Sequence, residues 1–193
     1  MSFPPLYILR HGQTEWNAAH RLQGHLDSSL TEKGRAQALQ QRQLLAACDL
    51  DGYAAISSPQ GRAFHTASIA LEGLFPLITT DARLMEIGVG SWEGRSRQDL
   101  TLDGPVDESE ESALDLFEHA PDGEGFAALR ERCAAFLADL QGPSVLVTHG
   151  VTSRMLRLVL SGRDISEIGM LEGGQGIIFH VENGIQRKLS IGA

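Results

Sequence analysis

Leu9-Arg10-His11-Gly12-Gln13-Thr14-Glu15-Trp16-Asn17 follows the first apolar run of the chain, which extends from Leu6 to Leu9. Such a run predicts a short buried β-strand. In an open α/β sheet, ligands bind just beyond the carboxyl ends of the strands. An Arg-His pair at that place, followed directly by glycine, suggests a cation beside a nucleophile or base, with backbone that can approach an anion. This stretch therefore indicates both a fold class and the position of a site.

A second histidine stands in the same setting. Ser144 to Thr148 is another apolar run, and His149-Gly150 follows it directly. An isolated Arg-His dipeptide is usually an ordinary surface feature. Two histidines at the ends of two predicted strands in one small chain favour a functional site instead.

Length and composition are those of one globular domain spanning residues 1–193, with 42% hydrophobic and 21% charged residues. No apolar run reaches the roughly 18 residues needed to span a membrane. The stretch from Met1 to Pro5 lacks the basic and apolar parts of a signal peptide. We therefore expect a cytoplasmic protein with no membrane partner, in which Cys48 and Cys133 are buried free thiols.

The charge pattern limits the class of ligand. A formal net charge of −9 argues against a nucleic-acid partner, which normally needs a basic face. Lys33 and Lys188 are the only lysines, so the cations are almost all arginines, whose planar guanidinium matches phosphate and carboxylate oxygens. A few arginines in a cleft can still bind a small anion in a chain of negative net charge.

Strand and helix patterns alternate along the chain. Strands are predicted at Leu6–Leu9, Tyr53–Ser57, Leu77–Thr80 and Ser144–Thr148, and a terminal hairpin at Gly176–His180 and Ile185–Ile191 across Glu182-Asn183-Gly184. Helices are predicted from an N-cap at Thr31 to about Cys48, from about Gly61 to Leu74, and at Phe126–Leu140 and Val151–Leu160. This order predicts a three-layer α/β/α sandwich with a mostly parallel sheet, to which one antiparallel edge strand can be added.

Residues whose side chains could take part in catalysis follow the predicted strands. They are Arg10, His11, Arg62, Glu86 and His149. In a parallel sheet these loops open on one edge, so their side chains can converge. The set suits phosphoryl transfer, in which one histidine attacks phosphorus, arginines and the other histidine neutralise the non-bridging oxygens, and a carboxylic acid protonates the leaving alcohol.

The motifs resemble those of the histidine phosphatase superfamily, and within it the cofactor-dependent phosphoglycerate mutase-like branch. The resemblance covers nearly the whole chain in the right order. It rests on Leu9 to Asn17, Arg21-Leu-Gln-Gly-His25, Leu30-Thr-Glu-Lys-Gly34, Ser57-Ser58 with Arg62 and Thr66-Ala67, Glu86 with Gly90-Ser-Trp-Glu-Gly94, and Thr148-His-Gly150.

This resemblance implies a phosphoglycerate mutase-like fold and a role for each site residue. His11 would be the phosphorylated nucleophile, and Glu86 the proton donor and later the base for water. The phosphate pocket would be formed by Arg10, Arg62 and His149, with help from Asn17. The family needs no metal, so we expect no metal and no other cofactor.

Two further residues, Gln23 and Gly24, are candidate substrate contacts. Two of the candidates have structural alternatives that the sequence leaves open: Asn17 can cap a helix, and Gln23 can stabilise its own loop.

The segment at about 88–125 separates two activities of the family, since mutases use basic residues after the Trp-Glu-Gly segment. From Gln98 to Leu129 there is no Lys or Arg, and the acidic residues are Asp99, Asp103, Asp107, Glu108, Glu110, Glu111, Asp115, Glu118, Asp122 and Glu124. Such an acidic lid would repel bisphosphoglycerate. The sequence therefore favours a metal-independent phosphatase, although Asp122-Gly-Glu-Gly125 departs from the Gly-Glu-Ser frequent in the family.

Two alternatives remain. The first is a cofactor-dependent phosphoglycerate mutase, for which 2,3-bisphosphoglycerate would be the cofactor. The second is an inactive phospho-ligand-binding domain that has kept the pocket. The expected partner is a small phosphorylated metabolite, and the chain is expected to be a monomer or a homodimer, with an exposed sheet edge near the C-terminal hairpin.

Overall fold

The computed structural model of the chain describes residues 3–100, 114 and 116–191. One six-stranded sheet consists of β1 (Leu6–Arg10), β2 (Ala54–Ser57), β3 (Thr79–Thr80), β4 (Ser144–Thr148), β5 (Ile178–Glu182) and β6 (Ile185–Leu189). It is accompanied by α1 (Glu15–Ala18), α2 (Glu32–Ala46), α3 (Gly61–Ala70), α4 (Gly125–Asp139) and α5 (Gly150–Leu160). Short 3₁₀ helices lie at Ala82–Leu84, Gly90–Trp92, Arg97–Asp99 and Ile165–Met170.

The sheet has the strand order β3-β2-β4-β1-β5-β6. Strands β1 to β4 pair in parallel, and β5 is antiparallel to both of its neighbours. The mostly parallel α/β sheet is therefore confirmed, but placing an antiparallel strand at the edge was wrong. The reason is the hairpin, which turns through Asn183 (φ 51°) and Gly184 (φ 76°), so that β6 pairs with the outer side of β5.

Helices cover both faces of the sheet. Leu6 and Ile8 of β1 belong to an apolar cluster with α4 and α5, whereas Tyr7 and Leu9 belong to a second cluster with α2 and α3. Because successive side chains of a strand point to opposite faces, β1 is buried on both sides. This arrangement gives the three layers that the sequence predicts.

A third apolar cluster lies in the segment of residues 88–125 and the loop that follows α1. Its buried members are Leu22, Val89, Trp92, Leu100 and Leu116. The backbone N–H of Leu22 donates to the Arg95 carbonyl (3.0 Å), and that of Gly94 donates to the Leu22 carbonyl (2.8 Å). Several of the acidic positions lie outside the described residues: Asp103, Asp107, Glu108, Glu110, Glu111 and Asp115.

Two other elements are shorter than the sequence predicts. α3 ends at Ala70 rather than at Leu74, and β3 has two residues rather than four. Both cysteines are free thiols, as predicted, but Cys48 is half-buried while Cys133 is buried.

In the described part of the chain, no helix is both long enough and apolar enough to cross a lipid bilayer.

The ends of three neighbouring strands place the site. In register, Arg10 of β1 lies beside Thr148 of β4, and Ser57 of β2 lies beside Val147. The backbone N–H of His11 continues the pairing by donating to the Thr148 carbonyl (2.9 Å). The loops after β1, β2 and β4 therefore leave the sheet at one edge.

Candidate active site

The turn after β1 is held by close backbone packing. The Gly12 N–H donates to Thr66 Oγ1 on α3 (3.0 Å). A Cβ atom on Gly12 would lie 2.2 Å from the Gly34 carbonyl oxygen, and one on Gly34 would lie 2.0 Å from the Gln13 carbonyl oxygen. Both positions therefore require glycine, because the first turn of α2 packs directly against the turn that carries His11.

His11 is 3% exposed, and one side of its ring is held in place. Its Nδ1 lies 2.7 Å from the Gly12 carbonyl oxygen. Because a carbonyl oxygen can only accept a hydrogen bond, Nδ1 carries the proton and donates it. The lone pair of the neutral ring is then on Nε2, the atom that the predicted role of His11 as nucleophile requires.

His149 is fully buried, and its ring centroid lies 5.2 Å from that of His11. Its Nε2 lies 2.8 Å from Ser58 Oγ, which itself accepts the N–H of Gln60 (3.3 Å). The Ser58 hydroxyl can therefore donate to His149 Nε2, and in that tautomer Nδ1 carries the proton of the neutral ring. This Nδ1 is buried and has no hydrogen-bond partner among the described atoms, so it fits a donor for a bound anion.

Arg62 is 2% exposed and lies near enough to both histidines for its charge to act on them. Its Nη1 donates to the Leu26 carbonyl (2.6 Å) and to Asp27 Oδ1 (2.8 Å), and its Nη2 donates to the Gly24 carbonyl (2.9 Å). Its buried Nε makes no hydrogen bond within the described part of the chain. The fork is thus oriented by one loop while a donor is left for a ligand.

Arg10 lies against the start of α5. A Cβ atom on Gly150 would be 3.2 Å from Arg10 Cζ and 3.3 Å from its Nε. Glycine at this position therefore leaves the room that the guanidinium occupies. Arg10 is brought next to His149 in this way, although 138 positions separate the two motifs in the sequence.

Burial and the two arginines set the protonation state of both histidines. Burial lowers the pKa of His11 well below its ordinary value, and the charges of Arg62 and Arg10 lower it further. Burial also lowers the pKa of His149, with added effects of Arg62 and His11. Both rings are therefore neutral at pH 7, so that His11 keeps its lone pair while arginines supply the positive charge of the pocket.

Glu86 is 7% exposed, and its carboxylate lies at the N-terminus of α5. Its Oε1 accepts hydrogen bonds from the backbone N–H and the hydroxyl of Thr152 (both 3.0 Å), and its Oε2 accepts the N–H of Val151 (3.2 Å). His149 is the N-cap residue of the same helix. α5 therefore positions the predicted proton donor and the second histidine together.

Asn17 takes part in a helix cap. Its Oδ1 accepts the N–H of Thr14 (3.2 Å), and its own N–H donates to Thr14 Oγ1 (3.2 Å), which forms a capping box at α1. The same Oδ1 also accepts from Gln175 Nε2 (3.2 Å). The capping alternative is thus observed, and contact of Asn17 with substrate stays a prediction.

Gln23 and Gly24 lie in the loop that orients Arg62. Gln23 is buried, and its Oε1 accepts the hydroxyl of Ser28 (3.1 Å), which is the loop-stabilising role considered for it. Gly24 has φ 51° and presents its carbonyl to Arg62. Contacts of Gln23 and Gly24 with substrate also remain predictions.

Four supporting residues were not among the predicted site residues, although Ser58 belongs to a motif on which the resemblance rests. Ser58 contacts His149, Asp27 contacts Arg62, Thr152 contacts Glu86, and Gln60 contacts Glu86 and Gly24. Ser58 directly follows β2 and Gln60 is the third residue after it, so the strand-end criterion could have found them. Asp27 and Thr152 have no comparable signal, because a loop acid and a helix threonine are common.

The structure brings Arg10, His11, Arg62, Glu86 and His149 together at one edge of the sheet, and their catalytic roles remain predictions. Among residues 3–100, 114 and 116–191, no group of three or more His, Cys, Asp or Glu side chains could hold a metal ion.

A family model and a curated relative both match most of this chain. A family model described as the histidine phosphatase superfamily (branch 1) matches residues 6–184. The probable phosphoglycerate mutase GpmB of Salmonella arizonae is 38% identical over 156 residues, which are 76% of this chain and 69% of that protein.

Two solved structures are similar over almost the full length. A mycobacterial glucosyl-3-phosphoglycerate phosphatase, solved in complex with VO3, is 28% identical, with 97% of this chain and 98% of that chain covered and a TM-score of 0.74. The alpha-ribazole phosphatase from Shigella flexneri is 26% identical, with 98% and 96% covered and a TM-score of 0.79.

Proposed function

This chain belongs to the histidine phosphatase superfamily, as its motifs indicate, and we propose that it hydrolyses small phosphomonoesters through a phosphohistidine at His11. The observation that carries the proposal is the state of the His11 ring. It is buried and neutral, with Nδ1 bound to the Gly12 carbonyl and the lone pair on Nε2. A second buried histidine and two arginines lie beside it.

In the first half of the reaction, His11 Nε2 attacks the phosphorus atom of the ester. The N–P bond forms while the bond from phosphorus to the alcohol oxygen breaks. Glu86 transfers its proton to that oxygen, so the alcohol leaves neutral. Arg10, Arg62 and the Nδ1–H of His149 bind the three non-bridging oxygens as their negative charge is redistributed.

In the second half, water attacks the same phosphorus atom. The Glu86 carboxylate takes a proton from this water, the new O–P bond forms, and the N–P bond breaks. Inorganic phosphate leaves, His11 is again neutral, and Glu86 is again protonated. Two arginines and a helix N-terminus supply the charge stabilisation, so we propose that no metal or other cofactor takes part.

The test is turnover of p-nitrophenyl phosphate in the presence of EDTA by the intact chain and by a His11→Ala variant. We expect the variant to lose at least about 1,000-fold in kcat, because no other group can replace a covalent nucleophile. Acid-labile phosphate should be trapped on the unaltered chain and not on the variant. Equal turnover by the two proteins would refute the role of His11, and turnover with no trapped phosphate would refute the covalent route.

A mutase is the second candidate function, and the observation that favours it is the name of the curated relatives. We propose that water is nevertheless the acceptor, because the part of the chain from Gln98 to Leu129 has ten acidic residues and no Lys or Arg. Conversion of 3-phosphoglycerate to 2-phosphoglycerate that depends on 2,3-bisphosphoglycerate would establish the mutase instead. Release of inorganic phosphate with no such conversion is the expected result.

A further inference from the structure

We propose that Gln60 is a positioning residue that links the phosphate pocket to the proton donor Glu86. The inference rests on the proposed function and assigns to Gln60 an effect on one step only, protonation of the leaving alcohol. Gln60 is 5% exposed and lies at the start of α3, directly before the turn that carries Arg62.

The side chain of Gln60 does not do what its position in the helix would suggest. Gln60 is the N-cap residue of α3, yet its side chain makes no capping hydrogen bond. Asp27 takes over that task, because its carboxylate accepts the N–H groups of Gly61 and Arg62. The Gln60 amide is thereby available for contacts outside its own helix.

Both ends of this amide are used. Gln60 Nε2 donates to the Gly24 carbonyl (2.8 Å), and Gln60 Oε1 accepts the backbone N–H of Glu86 (2.7 Å). A carbonyl can only accept and a backbone N–H can only donate, so these partners determine which atom of the amide is nitrogen. No other arrangement of the amide satisfies both groups.

The two contacts join the two halves of the site. The Gly24 carbonyl also accepts Arg62 Nη2 (2.9 Å), so Gln60 and the phosphate-binding arginine hold the same atom. On the other side, Gln60 holds the main chain of Glu86, while α5 holds its carboxylate. The separation between the phosphate site and the acid is therefore set through Gln60, and small errors in such a separation slow proton transfer strongly.

Two phosphate esters separate positioning of the acid from a general structural role. p-Nitrophenolate leaves readily without a proton, whereas the alkoxide of an alkyl phosphate such as glycerol 2-phosphate needs one. The value of kcat/KM reports the steps up to release of the alcohol, so it excludes the later attack of water. A loss of acid positioning lowers kcat/KM for the alkyl ester only, whereas a loss of packing lowers both.

The experiment compares Gln60→Leu with the unaltered chain on both esters. We expect kcat/KM for glycerol 2-phosphate to fall at least about tenfold and that for p-nitrophenyl phosphate to change by less than about threefold. Gln60→Glu, which keeps the acceptor for the Glu86 N–H but loses the donor, should show a smaller selective loss. It also provides a near-isosteric variant should Gln60→Leu fail to fold.

Gln41→Leu is the matched control. Gln41 is also a buried glutamine that binds backbone carbonyls on two segments, those of Arg10 and Ile177, but it does not contact Glu86. Its replacement should affect the two esters equally. Glu86→Gln sets the scale, with a selective loss on the alkyl ester of roughly 100-fold.

The outcomes separate the inference from the proposed function. Equal losses on both esters for both Gln60 variants, together with a selective loss for Glu86→Gln, would overturn the role of Gln60 and leave the function intact. Equal losses on both esters for Glu86→Gln would overturn the assignment of Glu86 as acid, and the role of Gln60 with it.

Discussion

The proposed phosphate pocket and the segment of residues 88–125 differ in the balance of contacts that hold them. In the pocket, His11 is fixed by one backbone carbonyl, Arg62 is fixed by two backbone carbonyls and the carboxylate of Asp27, and both side chains are buried. Besides its backbone hydrogen bonds to Leu22, the segment is attached through a small apolar cluster and an ion pair in which Arg132 Nε donates to Glu124 Oε1 (2.7 Å). A hydrogen bond to a backbone carbonyl can survive substitution of the residue that supplies the carbonyl. An ion pair requires a particular charged side chain. We therefore expect substitution of the Arg132–Glu124 pair to affect the segment more than the chemistry of the pocket.

The largest effect is expected from a substitution that disrupts the pocket and leaves the segment of residues 88–125 intact. Arg62→Lys keeps the positive charge but cannot make the three hydrogen bonds of the fork to Leu26, Asp27 and Gly24. We expect kcat/KM for p-nitrophenyl phosphate to fall about 100- to 1,000-fold, which corresponds to about 3–4 kcal/mol.

The control is Arg42→Lys, because the pair of Arg42 with Glu72 lies at the surface. Its kcat/KM should change less than about twofold. Retention of more than a tenth of the activity by Arg62→Lys would mean that charge alone suffices at this position.

An intermediate effect is expected from a substitution that loosens the segment of residues 88–125 and leaves the residues of the pocket unchanged. Arg132 binds both carboxylate oxygens of Glu124 and also donates to the carbonyls of Arg83 (2.6 Å) and Met85 (2.9 Å). Arg132→Met leaves these groups without their donor, so the free energy of unfolding should fall by about 2–4 kcal/mol. Urea denaturation measures this loss.

In the same variant, kcat/KM should fall less than about tenfold, well short of the loss in Arg62→Lys. Arg130→Met on the same helix is the control and should cost under about 1 kcal/mol. If the loss of kcat/KM in Arg132→Met, converted to a free energy, exceeds the loss in the free energy of unfolding, the segment takes part in the chemistry.

The smallest effect concerns the pH dependence of stability and sharpens the description of the pocket. His149 has a lowered pKa in the folded chain, so the unfolded chain binds more protons below about pH 6.5. Its contribution to stability is complete above this pH and is lost as the pH falls toward the folded pKa. The loss is at most about 1.4 kcal/mol per pH unit for each histidine.

Urea denaturation between about pH 5 and 7.5 should therefore give a shallower pH slope for His149→Asn than for the unaltered chain. His20→Asn is the control, since His20 is exposed and its φ of 53° suits asparagine. An unchanged slope in His149→Asn would mean that this ring is not held neutral in the folded chain.

Local patterns were sufficient for much of the fold. β1 and β4 are apolar runs buried on both faces, and the Asn183-Gly184 turn is a hairpin signal of two residues, so each could be recognised within a short window. The position of β5 inside the sheet could not. A hairpin pattern states that two strands pair with each other, but not which of them pairs with a third.

The candidate site also contains residues that local sequence patterns reveal and residues that they do not. Arg10 ends β1, His11 and His149 follow strands, and this placement made them visible in the sequence, whereas Asp27 and Thr152 had no such signal. Asp27 acts on α3 from a loop 34 positions earlier, and Thr152 reaches Glu86 across 66 positions. No periodicity or turn chemistry connects residues at such distances.

The sequence by itself determined the family, the parallel sheet and the residues at its strand ends, because alternation, turn residues and motif spacing act over a few positions of the chain. Only the tertiary structure decided which nitrogen of His11 carries the proton, what holds Arg62, and how Gln60 joins Gly24 to Glu86. These are hydrogen bonds between buried groups far apart in sequence. Each donor and acceptor must find its partner once water is removed, and packing of the whole chain selects that partner.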